Sequence, residues 1–157
     1  MQARIEYESF HRLLPAAGQA MRALAAASRE AGLEPALIEL VKIRASQING
    51  CAFCLAMHLA DARKLGESEA RLDLVAAWSD APVYSPRERA ALAWTEALTL
   101  IADGHAPDAI YDEVRRHFSD QELAALTWAI VNINGWNRVA IAMRFLPKVS
   151  APEAAQA

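Results

Sequence analysis

The stretch Ser46-Gln47-Ile48-Asn49-Gly50-Cys51-Ala52-Phe53-Cys54-Leu55-Ala56-Met57-His58 decides how this chain is read. Asn49-Gly50 interrupts an apolar helical run, because such dipeptides mark turns. A new helix then begins at about Cys51. An α-helix turns about 100° per residue, which sets Cys51 and Cys54 about 60° apart around the axis. His58 follows one turn after Cys54, about 40° round in the opposite sense. All three side chains share one face.

That placement has chemical consequences. A helix start presents unpaired N–H groups and a partial positive charge, which favour a thiolate. Cysteines so placed ionise within about pH 3.5–7.5. A histidine one turn along can take the thiol proton or return it to a leaving group. A second thiol three residues away can trap a sulfenic acid as a disulfide. Nucleophile, resolving thiol and base all fall within eight residues. Two other readings stay open on the residues alone. Cys51, Cys54 and His58 form a partial zinc set, with Glu39 or water as fourth ligand. Alternatively the cysteines are a buried, inert pair.

Glu39 stands twelve positions before Cys51 among Leu37, Ile38, Leu40 and Val41. It is either a surface residue pairing with Lys42 or Arg44, or a buried carboxylate that holds a proton for the thiols.

Outward from this centre the chain reads as helix after helix, with no sustained period-2 alternation. A first helix is expected from Leu13 or Pro15 to Glu30, ended by Gly32. A second starts at Glu34-Pro35 and stops before Asn49-Gly50, proline suiting its first turn. The third runs from Cys51 to Gly66, and a short fourth from Ser68 to Trp78. Asp80 to Ser85 is a loop. Ser85-Pro86-Arg87-Glu88 is a capping box that opens a fifth helix reaching Ala102. Pro107 to His117 is a sixth. Ser119-Asp120-Gln121-Glu122 is a second capping box, opening a long helix to Arg144 that Pro147 ends. The expected fold is all-α, a compact bundle of six to seven helices in one domain over residues 1–157. Its core spans about 13–147, and residues 150–157 form a frayed tail.

Composition narrows function by exclusion. Hydrophobic residues are 54% and charged residues 22% of 157, which is enough to bury a core without staples. A net charge of −3 with interspersed signs argues against nucleic acid and against an anionic membrane surface. No apolar run approaches the roughly 18 residues of a membrane span. No export signal follows the N-terminus, so a cytoplasmic location is expected. In a reducing compartment a lone close cysteine pair suggests redox chemistry or metal binding.

The run from Glu39 to His58 resembles the core of the alkylhydroperoxidase AhpD-like group within the carboxymuconolactone decarboxylase superfamily. Glu88-Arg89-Ala90-Ala91-Leu92 and Ile133-Asn134-Gly135-Trp136-Asn137-Arg138 resemble stretches of its small members. The resemblance implies an AhpD-like helical fold and reduction of a small organic hydroperoxide, with no cofactor or metal. It implies that Cys54 is the peroxidatic thiol and that Cys51 donates a proton and closes the disulfide. His58 and Glu39 would form the proton relay. A dithiol, such as a lipoyl group on a partner protein, would regenerate the thiols, and the chain would assemble as a homo-oligomer, a trimer or hexamer. Peroxidase members carry a histidine just before the second cysteine; here that position is Phe53, which implies a weaker activity or a different oxidant. The same disulfide would alternatively serve redox sensing or exchange without turnover. Lactone decarboxylation is a poorer fit, since that branch lacks the cysteine pair.

His11, His105 and His117 read as surface or capping residues. Trp78, Trp94, Trp128 and Trp136 read as core or interface anchors. Asn132, Asn134, Asn137 and Arg138 interrupt an apolar helix and need partners. They either bond neighbouring helix ends or a second subunit, or line the thiol site, and Gly135 is compatible with a close interface.

Overall fold

The computed structural model describes residues 2–149. Among these there are eight α-helices and no strand: α1 (Tyr7–Leu13), α2 (Pro15–Glu30), α3 (Pro35–Asn49), α4 (Ala52–Lys64), α5 (Glu69–Leu74), α6 (Pro86–Thr99), α7 (Asp108–Arg115) and α8 (Asp120–Met143). The expected all-α class holds. The tail expected at residues 150–157 lies outside the described residues.

The count exceeds the expected six to seven because of α1. Seven residues rarely sustain a helix alone, and Glu6 gives it no side-chain cap. Tertiary packing makes it: the Tyr7 ring lies 5.4 Å from Phe53 and 5.2 Å from Phe145. Arg4 stitches the preceding segment to the end of α8, donating from its backbone N–H to the Met143 carbonyl and from Nη1 to that of Ala142, both at 2.9 Å. These bonds satisfy carbonyls that a helix end leaves open.

The expected fourth helix is shorter: α5 gives way to a 3-10 turn at Val75–Ala77. Helix α6 ends at Thr99 rather than Ala102. Both capping boxes form, at Ser85/Glu88 and Ser119/Glu122. Helix α3 is the central element and packs on α4, α6 and α8. Its Leu40, Val41 and Ile43 are fully buried, as are Leu92 of α6 and Leu126 and Ile130 of α8. Helix α3 thus buries apolar side chains on several sides, as a helix surrounded by others must. Gly135 on α8 serves this packing: a Cβ there would meet Met21 Cε of α2 at 2.9 Å. No helix among the described residues is long and apolar enough to cross a membrane.

Candidate active site

The junction between α3 and α4 builds the thiol pair. Gly50 adopts φ +68°, a left-handed conformation that glycine takes without penalty. It closes α3 with two bonds, Gly50 N–H to the Gln47 carbonyl at 3.2 Å and Cys51 N–H to that of Ser46 at 3.0 Å. This is the Schellman arrangement. Cys51 therefore ends one helix and caps the next. It is the N-cap of α4, just outside the first turn, and its Sγ accepts from the Cys54 N–H at 3.4 Å.

Both cysteines are free, and both are almost wholly buried. Their Sγ atoms are 2.7 Å apart. Either thiol is able to donate across that contact. The backbone N–H groups of the helix start point at Cys51, so the charge settles there and the proton stays on Cys54. Cys51 is pulled down to about 7, by the Cys54 thiol first, with backbone N–H groups and Asn137 assisting against burial. Cys54 is pushed up, by donation to Cys51, by burial and by the neighbouring charge.

Glu39 is buried on α3, 8% exposed, and holds two partners. Its Oε2 lies 2.7 Å from His58 Nδ1, and its Oε1 accepts from Lys42 Nζ at 2.8 Å. Burial raises its pKa, but the hydrogen bond and charge of His58, followed by Lys42, outweigh it and hold the carboxyl below its ordinary value. An ionised carboxylate only accepts, so His58 carries its proton on Nδ1 and its Nε2 is the free nitrogen. Glu39 is thus not a solvated surface residue; it is buried and paired with Lys42. Arg44 pairs elsewhere, with Glu96 at 2.7 Å.

Cys54 and His58 both line a cleft of about 200 Å³, walled by Tyr7, Phe53, Met57, Trp136 and Phe145 with Arg22 and Lys42 as its cations. Cys51 faces a different groove, between Gly50 and the end of α8 at Ile141, Arg144 and Leu146. Phe53, standing where a histidine was expected in a peroxidase, lies between the two and lines both.

The zinc set weighed from the sequence is not assembled. Among the described residues, the metal-ligating atoms that close to within 4.8 Å belong to Glu39, His58 and Asp61, without either thiol. The Lys42 ammonium on Glu39 opposes a cation there.

Of the remaining residues, Trp136 is a cleft wall and not only an anchor. His117 pairs with Glu113 at 3.2 Å, and His105 is exposed. His11 packs edge-on to Tyr7 at 4.4 Å, with its Nε2 buried and unbonded among the described residues. Lys42, Tyr7, Arg22 and Phe145 went unnoticed as site residues. Lys42 had a signal, its i+3 spacing from Glu39. Tyr7 and Phe145 had none, since they reach the cleft from distant ends of the chain.

The bundle sets Glu39 of its central helix on His58 and brings Cys51 and Cys54 side by side. The chain belongs to the carboxymuconolactone decarboxylase family, whose model matches residues 15–97. It is 41% identical over 135 residues to the uncharacterized protein YdfG of Bacillus subtilis, covering 86% of this chain and 92% of that one. Among solved structures, it matches a protein of unknown function from Agrobacterium tumefaciens, for which a role as antioxidant defence protein AhpD has been suggested. The TM-score is 0.88 at 42% identity, over 95% of this chain and all of that one. An uncharacterized peroxidase-related protein from Ralstonia eutropha JMP134 shares the fold, with a TM-score of 0.73 at 22% identity over 89% of this chain and 75% of that one. The fold is AhpD-like.

Proposed function

We propose that this protein is a thiol-dependent peroxidase that reduces organic hydroperoxides by cycling Cys51 and Cys54 between dithiol and disulfide. One observation carries the reading: two free thiols stand 2.7 Å apart, and Cys54 shares an apolar cleft with a His58 that Glu39 orients. The cleft's apolar walls suit an alkyl substituent.

The resting pair holds one proton, on Cys54. That proton crosses to Cys51, and the Cys54 thiolate attacks the distal peroxide oxygen. The S–O bond forms, the O–O bond breaks, and the departing alkoxide takes the proton from Cys51. Cys54 is now a sulfenic acid and Cys51 again a thiolate. Cys51 attacks the Cys54 sulfur, the S–S bond forms, and hydroxide leaves as water with a proton from solvent, taken up on the free Nε2 of His58 and passed on. Two electrons pass from the sulfurs to the peroxide, giving an alcohol, water and a disulfide. A cellular dithiol, such as a lipoyl group on a partner protein, would return the disulfide to thiols, and the cytoplasm, where such reductants are kept reduced, is the proposed location of the cycle. Exposed Leu13, Leu14 and Trp128 support assembly into a homo-oligomer, a trimer or hexamer, since large apolar side chains in water favour burial against a partner.

The test is a single turnover of reduced protein with an alkyl hydroperoxide, read as intact mass. The parent is expected to lose two hydrogens. Cys51→Ser should stop at a sulfenic acid, a gain of one oxygen, and Cys54→Ser should not react. Thiols that stay reduced at excess peroxide would overturn the peroxidase reading. A sulfenic acid on Cys51 in Cys54→Ser would exchange the two roles. If oxidation occurs but no dithiol supports turnover, the pair is a redox sensor.

A further inference from the structure

We propose that Asn137 is a positioning residue that holds the thiol pair ionised, its amide N–H2 turned to the sulfurs by a one-way chain of side-chain amides running from α8 through Asn134 and Asn49. The proposal deepens the peroxidase reading and rests on it only in needing a thiolate.

Asn137 is fully buried, at 0% exposure. It stands on α8 between Ile133 and Ala140, four residues before and three after, and both of these pack with Cys51 and Cys54 in one apolar cluster. Helical spacing puts the three on one face, so the Asn137 side chain points at the thiols. The Cys51 and Cys54 sulfurs both feel its amide as a donor.

An amide presents a donor at one end and an acceptor at the other, so its effect on a thiolate depends on which end arrives. Here the choice is forced from a distance. The Ile130 carbonyl can only accept, and Asn134 Nδ2 donates to it at 2.9 Å. The Arg138 guanidinium can only donate, and it reaches Asn134 Oδ1 at 3.3 Å. Asn134 is thereby oriented without ambiguity. Its Oδ1 also accepts from Asn49 Nδ2 at 2.9 Å, which fixes the N–H2 end of Asn49 toward α8. The same Asn49 nitrogen donates to Asn137 Oδ1 at 2.9 Å. With its oxygen so engaged, Asn137 presents its nitrogen to Ser46 Oγ at 3.1 Å, and the lowering of both thiols by its amide is that of the N–H2 end. A flipped Asn137 would set two N–H2 groups against each other and place an oxygen against a thiolate, leaving buried groups unpaired.

The chain also explains why asparagines recur in an otherwise apolar helix. Asn134 and Asn137 bond Asn49 at the end of α3, as one sequence reading held, while Asn132 bonds the Met21 carbonyl of α2 and lines the cleft that holds Cys54, as the other held.

The test needs no peroxide. Reduced protein is alkylated with limiting iodoacetamide across pH 5–10, with intact mass as readout. Asn137→Ala is expected to slow alkylation at pH 7 by about fivefold, the effect of raising a midpoint near neutrality by about one unit, and to leave the rate at pH 10 unchanged. Asn49→Ala touches neither sulfur and frees the Asn137 amide to rotate. It should slow alkylation at pH 7 in the same direction, and it keeps the question decidable if Asn137→Ala fails to fold. Folded variants that melt lower but keep the parent pH profile would overturn the proposal and leave Asn137 a packing residue. Loss of peroxide turnover with an unshifted alkylation profile would count against it in the same way. A parent that alkylates as expected but never reacts with peroxide would overturn the proposed activity alone.

Discussion

Cys51 caps the helix that carries Cys54: its Sγ accepts the Cys54 backbone N–H at 3.4 Å while the two sulfurs stand 2.7 Å apart. One atom therefore serves local structure and chemistry together. An N-cap thiol can ionise near neutral pH where a hydroxyl cannot, and charged acceptors bond N–H groups about twice as strongly.

The first consequence is a pH profile. Cys51 ionises at about 7, below its ordinary 9.0, so alkylation of the reduced protein should reach half its maximum near neutrality. Cys54→Ala removes the largest cause of that shift, and the midpoint should move up toward an ordinary thiol. An unmoved midpoint would mean that the backbone N–H groups and Asn137 hold the charge without the Cys54 thiol.

The converse holds for Cys54. Its thiol is held protonated by Cys51, so Cys51→Ala should lower its ionisation pH, since burial alone remains to raise it. Thiolate absorbance against pH, recorded on the single-cysteine variant, reads this directly.

Glu39 links the site to acid stability. Its carboxyl lies below the ordinary 4.5, so its contribution is complete above that pH and is lost as pH falls through the lower folded value. Glu39→Gln keeps the shape but not the charge. It should cost about 1–3 kcal/mol at pH 7, with the difference from the parent shrinking in acid. Denaturant midpoints at pH 7 and pH 3 check the sign. The same variant should slow turnover by about 10²–10⁴-fold if His58 works as a proton donor and acceptor.

Gly50 separates backbone strain from packing. Nothing lies within 4 Å of a Cβ built there, so Gly50→Ala meets no clash. The cost is the left-handed backbone, about 1–2 kcal/mol. If the chain relieves it by shifting Cys51, the alkylation midpoint rises as the melting temperature falls. A variant with only the second effect would show that the cap survives.

The core offers a calibration. Leu40 is fully buried at the centre of the bundle, so Leu40→Ala should cost about 2–5 kcal/mol in chemical denaturation. A smaller loss would show that the neighbours on α4 and α6 close the cavity.

Much of this was legible in the residues. Local rules of capping and glycine placement set both capping boxes and the break at Gly50, and helical periodicity brought Cys51, Cys54 and His58 to one face. These act over a few residues, and the sequence states them outright. What lay between distant segments did not show in these local rules: α1, which exists through Tyr7 against Phe53 and Phe145, and the cleft those rings wall, while the pairing of Glu39 with His58 nineteen residues away was expected only from the family resemblance. The division of charge between the cysteines was also hidden, because helix position favours both and only the contact between the sulfurs separates them. Periodicity fixes which residues share a face of one helix. Which face meets which, and so which thiol carries the proton and where the amide of Asn137 points, is decided by packing and hydrogen bonds among helices far apart in the chain.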